Sequence, residues 1–190
     1  MSACMENIQV DSGSSTTPER EVRSLAGAEY KWFALGVTAR HEKAASQLLR
    51  SKGYHTFLPS YVRRHQYGRR AREFDLPLFP GYLFCRLDPL VRLPVLTTPG
   101  VLRLIGAGRS PIPVEDEEIT SLQRARDAGI SMVPYPYWQT GQRGRITGGP
   151  LAGVEGIVLS ARHPVRLVLS VKLLQRSVLL EIDYDCVALA

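Results

Sequence analysis

An arginine-rich run interleaved with aromatic rings is the segment of this sequence whose residue types point most directly to chemistry. The arginines fall between positions 63 and 72 and are Arg63, Arg64, Arg69, Arg70 and Arg72. Tyr61, His65 and Tyr67 lie among or beside them. Guanidinium groups bind phosphates, and aromatic rings stack on unpaired bases. The run therefore predicts contact with nucleic acid, with a solvated hairpin tip as the alternative.

No arrangement for catalysis or metal binding accompanies this run. No metal site is expected from the widely spaced histidines, which are His41, His55, His65 and His163. Ser14 and Ser15 have no neighbouring base, and the sequence contains no P-loop, GxSxG or HExxH motif. The acidic positions 115–118 suit a helix N-terminus, where negative charge is favourable. We therefore expect no enzyme and no cofactor.

Composition favours a soluble globular protein with a polyanionic neighbour. Of the 190 residues, 44% are hydrophobic, which is enough for a core, and the formal net charge is +6. The three cysteines are scattered and form no CxxC pair, which fits a reducing compartment. No apolar run reaches the roughly 18–20 residues of a membrane span, and no signal-peptide pattern is present. These features predict a cytoplasmic protein with no membrane partner.

The segment Leu-Phe-Pro-Gly-Tyr-Leu-Phe at 78–84 combines a turn with a strand. Pro80 and Gly81 favour a type II turn, because proline fixes φ and glycine permits a positive φ. After the turn, rings and a charge alternate with apolar residues in the two-residue period of a strand. The first set is Tyr82, Phe84 and Arg86, and the second is Leu83, Cys85 and Leu87. We expect the second set to pack in a core and the first to form a covered face or a docking surface.

The elements around this strand predict an α+β domain at 29–129, after a disordered tail at 1–28. Strands are expected at 30–37, 82–87 and 101–105, and a short helix is expected after Asp88. One longer helix ends at Gly53, and a second spans 114–128. The inner stripe of the second consists of Ile119, Leu122 and Ala125. The short connections indicate a small, mainly antiparallel sheet flanked by helices.

The second half of the sequence has a different pattern. Residues 130–140 contain two prolines and no helical period, which predicts a linker. From 141 onward, short strands are expected between glycines, at 143–147, 156–160, 165–171, 177–182 and 186–189. This spacing predicts a small closed β-barrel domain at 141–190.

A glycine-rich segment of this domain, at 148–158, resembles the KOW motif. Its turn consists of Gly148, Gly149 and Pro150. We expect Leu151 to tuck back as a plug and Gly156 to permit a close strand crossing. Ribosomal proteins and RNA-associated factors carry this motif, so a ribosome-associated RNA-binding protein is the alternative function.

Three N-terminal motifs resemble the NGN domain of the NusG family. They are Trp-Phe-Ala-Leu at 32–35, Leu-Phe-Pro-Gly-Tyr-Leu-Phe at 78–84 and Thr-Pro-Gly-Val-Leu-Arg-Leu-Ile-Gly at 98–106. They occur in the family's order and precede the KOW segment, so the resemblance runs from about residue 30 to the end. Within the family, segments 77–89 and 112–118 and the basic hairpin look most similar to specialised antiterminators of the RfaH and UpxY type.

This resemblance implies a transcription elongation and antitermination factor that acts by binding RNA polymerase. Family NGN domains dock on the β′ clamp helices and bridge to the β gate loop, which suppresses pausing and termination. Positions matching the docking cavity are Phe79, Tyr82, Phe84, Trp32 and Phe33, with Phe79 undecided between docking and core packing. For the gate loop or DNA, the matching region offers Arg92, Thr97 and Thr98.

The resemblance implies further contacts for the hairpin and the barrel. In RfaH-like proteins the hairpin lies near upstream or non-template DNA, which favours nucleic-acid contact over a solvated tip. The barrel loop at 172–176 matches the family's contact with NusE, and hence the ribosome, or with Rho. Its candidate residues are Leu173, Leu174 and Arg176, and Leu174 stands where general NusG has an aromatic residue. We expect a monomer.

Overall fold

The computed structural model describes residues 30–67, 70–108, 110–138, 140–160, 164–182 and 187–189. The predicted tail at 1–28 lies outside these ranges. In chain order, the elements of the first half are β1 (Lys31–Val37), α1 (Glu42–Ser51), β2 (His55–Phe57), β3 (Ser60–Tyr67), β4 (Arg70–Pro77), β5 (Tyr82–Leu87), α2 (Leu93–Leu96), β6 (Val101–Leu104), β7 (Gly106–Ala107), β8 (Ser110–Pro111), β9 (Pro113–Val114) and α3 (Asp116–Asp127). A 3-10 turn at Pro89–Val91 precedes α2.

Strand β1 lies at the centre of the first sheet, whose order is β2-β5-β1-β6, and β9 also pairs with β1. β1 and β5 run antiparallel from Lys31 opposite Leu87 to Gly36 opposite Tyr82. The other pairings of this sheet are antiparallel as well. The predicted mainly antiparallel sheet with flanking helices is thus confirmed for the first half.

Helix α1 covers one face of this sheet. Its buried residues Ala45 and Leu49 belong to one apolar cluster with the predicted core set of β5, which is Leu83, Cys85 and Leu87. Glu42 is buried at the start of α1, and its Oε1 accepts a hydrogen bond from the backbone N–H of Gly81 at 2.9 Å. Gly81 has a φ of +81°, as the predicted turn requires. The helix therefore holds both the core face of β5 and the turn before it.

Helix α3 covers the opposite face. Its predicted inner stripe of Ile119, Leu122 and Ala125 is buried in a second apolar cluster with Ala34 and Phe84. Three acidic residues occupy its first turn and two arginines its last, which matches the helix dipole at both ends. The same cluster continues into the second half of the chain, through Leu151 and Leu167 among others. Helix α3 thus lies between two sheets.

The basic run forms a long hairpin in which most of its residues are on strands. β3 and β4 pair from Ser60 opposite Pro77 to Tyr67 opposite Arg70. The polar composition of 63–73 is typical of a hairpin tip or loop, but most of these residues are on strands, because β3 extends to Tyr67 and β4 begins at Arg70. The hairpin is a separate two-stranded sheet that pairs with neither larger sheet.

The second half forms a six-stranded antiparallel sheet. Its strands are β10 (Met132–Tyr135), β11 (Gln142–Ile146), β12 (Glu155–Ser160), β13 (Val165–Val171), β14 (Arg176–Ile182) and β15 (Val187–Leu189), in the order β10-β14-β13-β12-β11-β15. β10 lies within the predicted linker, which is therefore more than a connection. Within the described ranges the outer strands β10 and β15 do not pair with each other, so closure of the predicted barrel stays a prediction.

The glycine-rich turn at the start of β12 matches its predicted packing. Leu151 is buried, as expected for a plug. At Gly156, a Cβ atom would lie 2.7 Å from the backbone oxygen of Val168 and 2.7 Å from Cγ of Leu167. Strands β12 and β13 therefore cross closely at a position that only glycine fits without displacing its neighbours.

Candidate functional site

The five aromatic residues predicted for docking do not share one face. Adjacent residues of a strand point to opposite faces of the sheet. Trp32 lies opposite Arg86 and Ala34 opposite Phe84, so Trp32 and Phe84 share a face. Phe33 lies on the other face, buried in the cluster beneath α1. The expectation that Phe33 lines the docking cavity together with Trp32 is therefore corrected.

Phe79 and Phe84 are core residues. Phe84 is fully buried, and Phe79 is only 2% exposed. The Phe79 ring meets the Phe84 ring edge-on, with centroids 5.7 Å apart, and Phe57 stacks on Phe84 at 6.2 Å. Arg126 of α3 lies 5.2 Å from the centre of the Phe57 ring, a cation–π distance. The expectation that Phe84 presents a surface is corrected, because its face of the sheet packs with α3.

Trp32 and Tyr82 are the predicted docking residues that keep access to solvent. Both are half-buried and pack at the margin of the cluster that contains Phe84. Because Trp32 lies opposite Arg86 and Tyr82 opposite Gly36, the two rings flank Phe84 along the sheet. We call Trp32 and Tyr82 the aromatic strip. Its rings rest on a packed core, so little side-chain freedom remains to be lost on binding.

Of the three residues predicted to contact the gate loop or DNA, two are exposed and one is buried. Arg92 and Thr97 are exposed at the two ends of α2. Thr98 is buried, and its Oγ1 donates to the backbone oxygen of Pro94 at 3.0 Å and accepts from Lys52 Nζ at 2.7 Å. These bonds within the chain occupy the buried Thr98 hydroxyl. The expectation that Thr98 contacts the gate loop or DNA is therefore corrected.

An exposed apolar group beside Arg92 was missed in the sequence. Leu90 is 90% exposed and Leu93 is 70% exposed, and Val91 and Leu102 are exposed as well. We call these four residues the α2 apolar patch. The sequence does contain a sign of this exposure. Two short turns cannot bury all the apolar side chains of segment 89–94, which reads Pro-Leu-Val-Arg-Leu-Pro. Neighbouring exposed apolar residues of this kind mark interaction surfaces.

The arginines predicted to bind nucleic acid lie along the hairpin strands. Arg63 and Arg64 are exposed on β3, and Arg72 is exposed on β4. Arg70 begins β4, and Arg69 lies outside the described residues. At the base of the hairpin, Tyr61 packs against the apolar cluster that contains Phe84. The structure thus places three of the five arginine side chains on an exposed ladder.

The predicted partner loop of the second sheet is a 3-10 turn at Lys172–Leu174. Leu173 is half-buried and Arg176 is exposed at the start of β14. Leu174 is buried in the apolar cluster that contains Phe84, so the expectation that it contacts a partner is corrected. Leu173 and Arg176 remain as accessible candidates.

Helix α3 and the second sheet also meet through polar contacts, which we call the α3 seam. Arg124 Nη1 donates to the backbone oxygen of Ala152 at 3.1 Å, and the backbone N–H of Lys172 donates to Glu118 Oε1 at 3.4 Å. The Glu118 side chain is only 11% exposed. Burial raises the pKa of Glu118, and the contacts from Lys172 oppose that rise. The seam is therefore less favourable when Glu118 is ionised.

Replacing Glu118 by glutamine is expected to raise the free energy of unfolding at pH 7, by less than about 1 kcal/mol. Glutamine keeps an acceptor for Lys172 N–H but carries no charge to bury. A raised folded pKa means that the native chain loses stability as pH rises from the ordinary value of 4.5 through the raised value. The gain should therefore shrink below pH 4.5, where Glu118 is protonated. Urea unfolding of both proteins across pH 4–7 measures this difference.

Glu117→Gln is the matched control for this measurement. Glu117 lies in the same helical turn but is exposed. Its replacement removes an equal charge from the helix N-terminus without relieving burial, so no gain is expected. An equal gain in both variants would show that burial at the seam is not the cause.

The described residues contain no constellation for covalent or metal chemistry. Burial raises the pKa of the Cys85 thiol to about 12, so it remains protonated and unreactive at neutral pH. No group of three or more His, Cys, Asp or Glu side chains in the described ranges is arranged to hold a metal ion. Among the same residues, no helix has the length and apolar character needed to cross a membrane.

Comparison with known proteins connects this architecture to one family. A family model described as transcription termination factor NusG matches residues 30–123. The transcription termination/antitermination protein NusG of Borreliella burgdorferi is 31% identical over 129 residues, which cover 62% of this chain and 69% of that protein. The protein of the same name from Escherichia coli is 28% identical over 124 residues, covering 62% of this chain and 68% of that protein.

A solved structure extends the likeness in fold to both sheets. The structure described as "Domain interaction in Thermotoga maritima NusG" covers 84% of this chain and 96% of its own, with a TM-score of 0.51 and 18% sequence identity. The family match itself begins at Tyr30, just before β1, and ends within α3, so it includes the first sheet and the aromatic strip. The chain therefore belongs to the NusG family of transcription termination and antitermination proteins.

Proposed function

We propose that this chain binds RNA polymerase through the aromatic strip, which grips the tip of the β′ clamp helices. The observation that carries the proposal is the position of Trp32 and Tyr82, half-buried on either side of the buried Phe84. Such rigid aromatic side chains act as anchors that dominate interface energetics. Phe79 and Phe84 support the strip from within the core, because their own rings are covered.

The second polymerase contact in this proposal is the β gate loop, reached through Arg92, Thr97 and the α2 apolar patch. Support comes from exposure, since Leu90 and Leu93 lie beside Arg92 with most of their surface in solvent. Contacts to two parts of the enzyme hold its clamp closed, and a closed clamp suppresses pausing and termination. This proposal requires binding and no catalysis.

The remaining parts of the chain have proposed partners as well. Leu173 in the 3-10 turn and Arg176 at the start of β14 recruit NusE, and with it the ribosome, or Rho. The basic hairpin lies near upstream or non-template DNA. In this proposal the protein works in the cytoplasm as a monomer. It is a specialised antiterminator of the RfaH and UpxY type, which the segment at 77–89 supports.

Tyr82→Ala is expected to weaken binding to RNA polymerase roughly tenfold or more, as loss of an aromatic anchor does. The measurement is biolayer interferometry with immobilised polymerase that carries no nucleic acid. Tyr135→Ala is the matched control, because Tyr135 is also a half-buried tyrosine on a strand but belongs to the second sheet. Its affinity should stay within about twofold of the parent, since rim or remote positions contribute little.

Equal affinities of the parent and the Tyr82 variant would refute docking through the strip. The alternative, a ribosome-associated RNA-binding protein, predicts sedimentation with ribosomal subunits in the absence of polymerase. That result, together with no polymerase binding by the parent chain, would replace the proposal. The comparisons favour transcription, because the relatives described above are transcription termination and antitermination proteins.

A further inference from the structure

The basic hairpin has two faces of different chemical character. Residues directly opposite each other in an antiparallel ladder lie on the same face, and successive residues alternate between faces. The register places Arg63 opposite Phe74 and His65 opposite Arg72. These four residues share one face, which we call the arginine face. The other face carries Arg64 opposite Glu73 and Val62 opposite Asp75, and we call it the paired face.

The paired face is neutralised within the protein. Arg64 Nε lies 3.5 Å from a carboxylate oxygen of Glu73. Lys43 of α1 reaches across to Asp75, where its Nζ donates to Oδ2 at 2.8 Å and to the backbone oxygen at 3.1 Å, and these two bonds hold the hairpin base against the helix. The Lys43 contact lowers the pKa of Asp75, so this carboxylate stays charged at neutral pH. Each cation of this face therefore has a carboxylate partner.

The arginine face has no such balance. Glu73 and Asp75 are the acidic residues of strands β3 and β4, and both lie on the paired face. Arg63 and Arg72 thus add positive charge to a face that carries no carboxylate from the hairpin. Beside them the Phe74 ring is 39% exposed, although burial would be favourable for a phenyl group. The arginine face thus combines unbalanced positive charge with an exposed aromatic ring directly opposite Arg63.

We propose that the arginine face binds single-stranded nucleic acid, with Arg63 and Arg72 on phosphates and Phe74 stacked on an unpaired base. Phosphates complement the unbalanced positive charge, and an exposed ring in a basic groove is the arrangement that single-strand binding uses. Base pairs within a duplex leave no free base face for Phe74. The inference deepens the DNA contact of the proposed function and rests on it, and it also restricts that contact to one face and one form of nucleic acid.

The test is fluorescence anisotropy of the full chain with labelled oligo(dT), oligo(U) and a DNA duplex, without polymerase. Arg63→Gln and Arg72→Gln are each expected to weaken single-strand binding roughly five- to tenfold at low salt. Each should also reduce the slope of log K against log salt by about 0.7, the value for one phosphate contact of a single strand. Comparison of the dT and U arms shows whether DNA or RNA is preferred.

Arg64→Gln is the matched control, since it removes the same charge from the paired face of the same strand. Its binding is expected to stay within about twofold of the parent, because Arg64 is engaged by Glu73. Phe74→Leu keeps an apolar side chain and removes the stacking ring, so affinity should fall roughly fivefold or more with an unchanged salt slope. Circular dichroism confirms that each variant is folded.

Two outcomes would overturn the inference. An equal loss in Arg64→Gln and Arg63→Gln would mean that only overall charge matters and that the faces do not differ. Duplex binding as tight as single-strand binding would exclude stacking by Phe74. Because no polymerase is present, failure here leaves the Tyr82 result intact, and failure of polymerase docking leaves this titration intact.

Discussion

Phe84→Ala is expected to lower the free energy of unfolding by about 3–5 kcal/mol, the range for deleting a buried phenylalanine. The ring is fully buried and contacts Phe79 and Phe57 at centroid distances of 5.7 and 6.2 Å. Its removal leaves a cavity between the first sheet and α3 that these rigid neighbours can fill only in part. Urea denaturation followed by circular dichroism measures the loss.

Tyr82→Ala provides the comparison within the same strand. Tyr82 shares the face of Phe84 but keeps access to solvent, so its replacement should cost about 1 kcal/mol of stability and mainly affect polymerase binding. The two variants thus separate a supporting ring from a contacting ring. A loss below 1 kcal/mol in Phe84→Ala would show that this ring does not support the sheet.

Gly156→Ala is expected to destabilise the second sheet by about 1–3 kcal/mol or more, as overpacking does. The added Cβ would approach the Val168 backbone oxygen to 2.7 Å. Relieving this overlap requires β12 and β13 to move apart. Their ladder, in which Ile157 pairs with Val168, opposes that movement. Thermal unfolding combined with amide chemical shifts would locate the damage in the second sheet.

Gly148→Ala is the control for the loss of a glycine in the same motif. A Cβ at Gly148 would have no heavy atom within 4 Å, and this residue has no positive φ. Its effect should stay within about 0.5 kcal/mol of zero. Similar losses at Gly148 and Gly156 would contradict the close strand crossing as the reason for Gly156.

Local pattern predicted the elements well where one face of a strand or helix is buried. The alternation in β5 identified Leu83, Cys85 and Leu87 as core, and helical spacing identified the inner stripe of α3. The same alternation also separates Trp32 from Phe33, since neighbours on a strand cannot share a face. The family resemblance matches positions along the sequence and does not consider which face of a strand each residue occupies. It therefore assigns both Trp32 and Phe33 to the docking cavity.

Other errors arose from contacts distant in sequence. Phe84 is covered through packing with α3, and Thr98 is fixed by Lys52, a residue 46 positions away. The two prolines and the lack of a helical period predict a linker at 130–140, yet β10 in this range is an edge strand, where the missing backbone N–H of Pro134 is tolerated. Beyond its half-buried base, the hairpin lacks apolar alternation, because pairing between β3 and β4 forms these strands while both faces stay exposed.

The α3 seam has a consequence for how the two halves of the chain can separate. The pKa of Glu118 is raised because the second sheet and α3 remove this carboxyl from water. Water returns to it when the halves part, and its pKa then falls toward the ordinary value, so separation releases a proton at intermediate pH. Protons therefore favour the contact between α3 and the second sheet, and this contact is expected to weaken as pH rises through the raised pKa of Glu118.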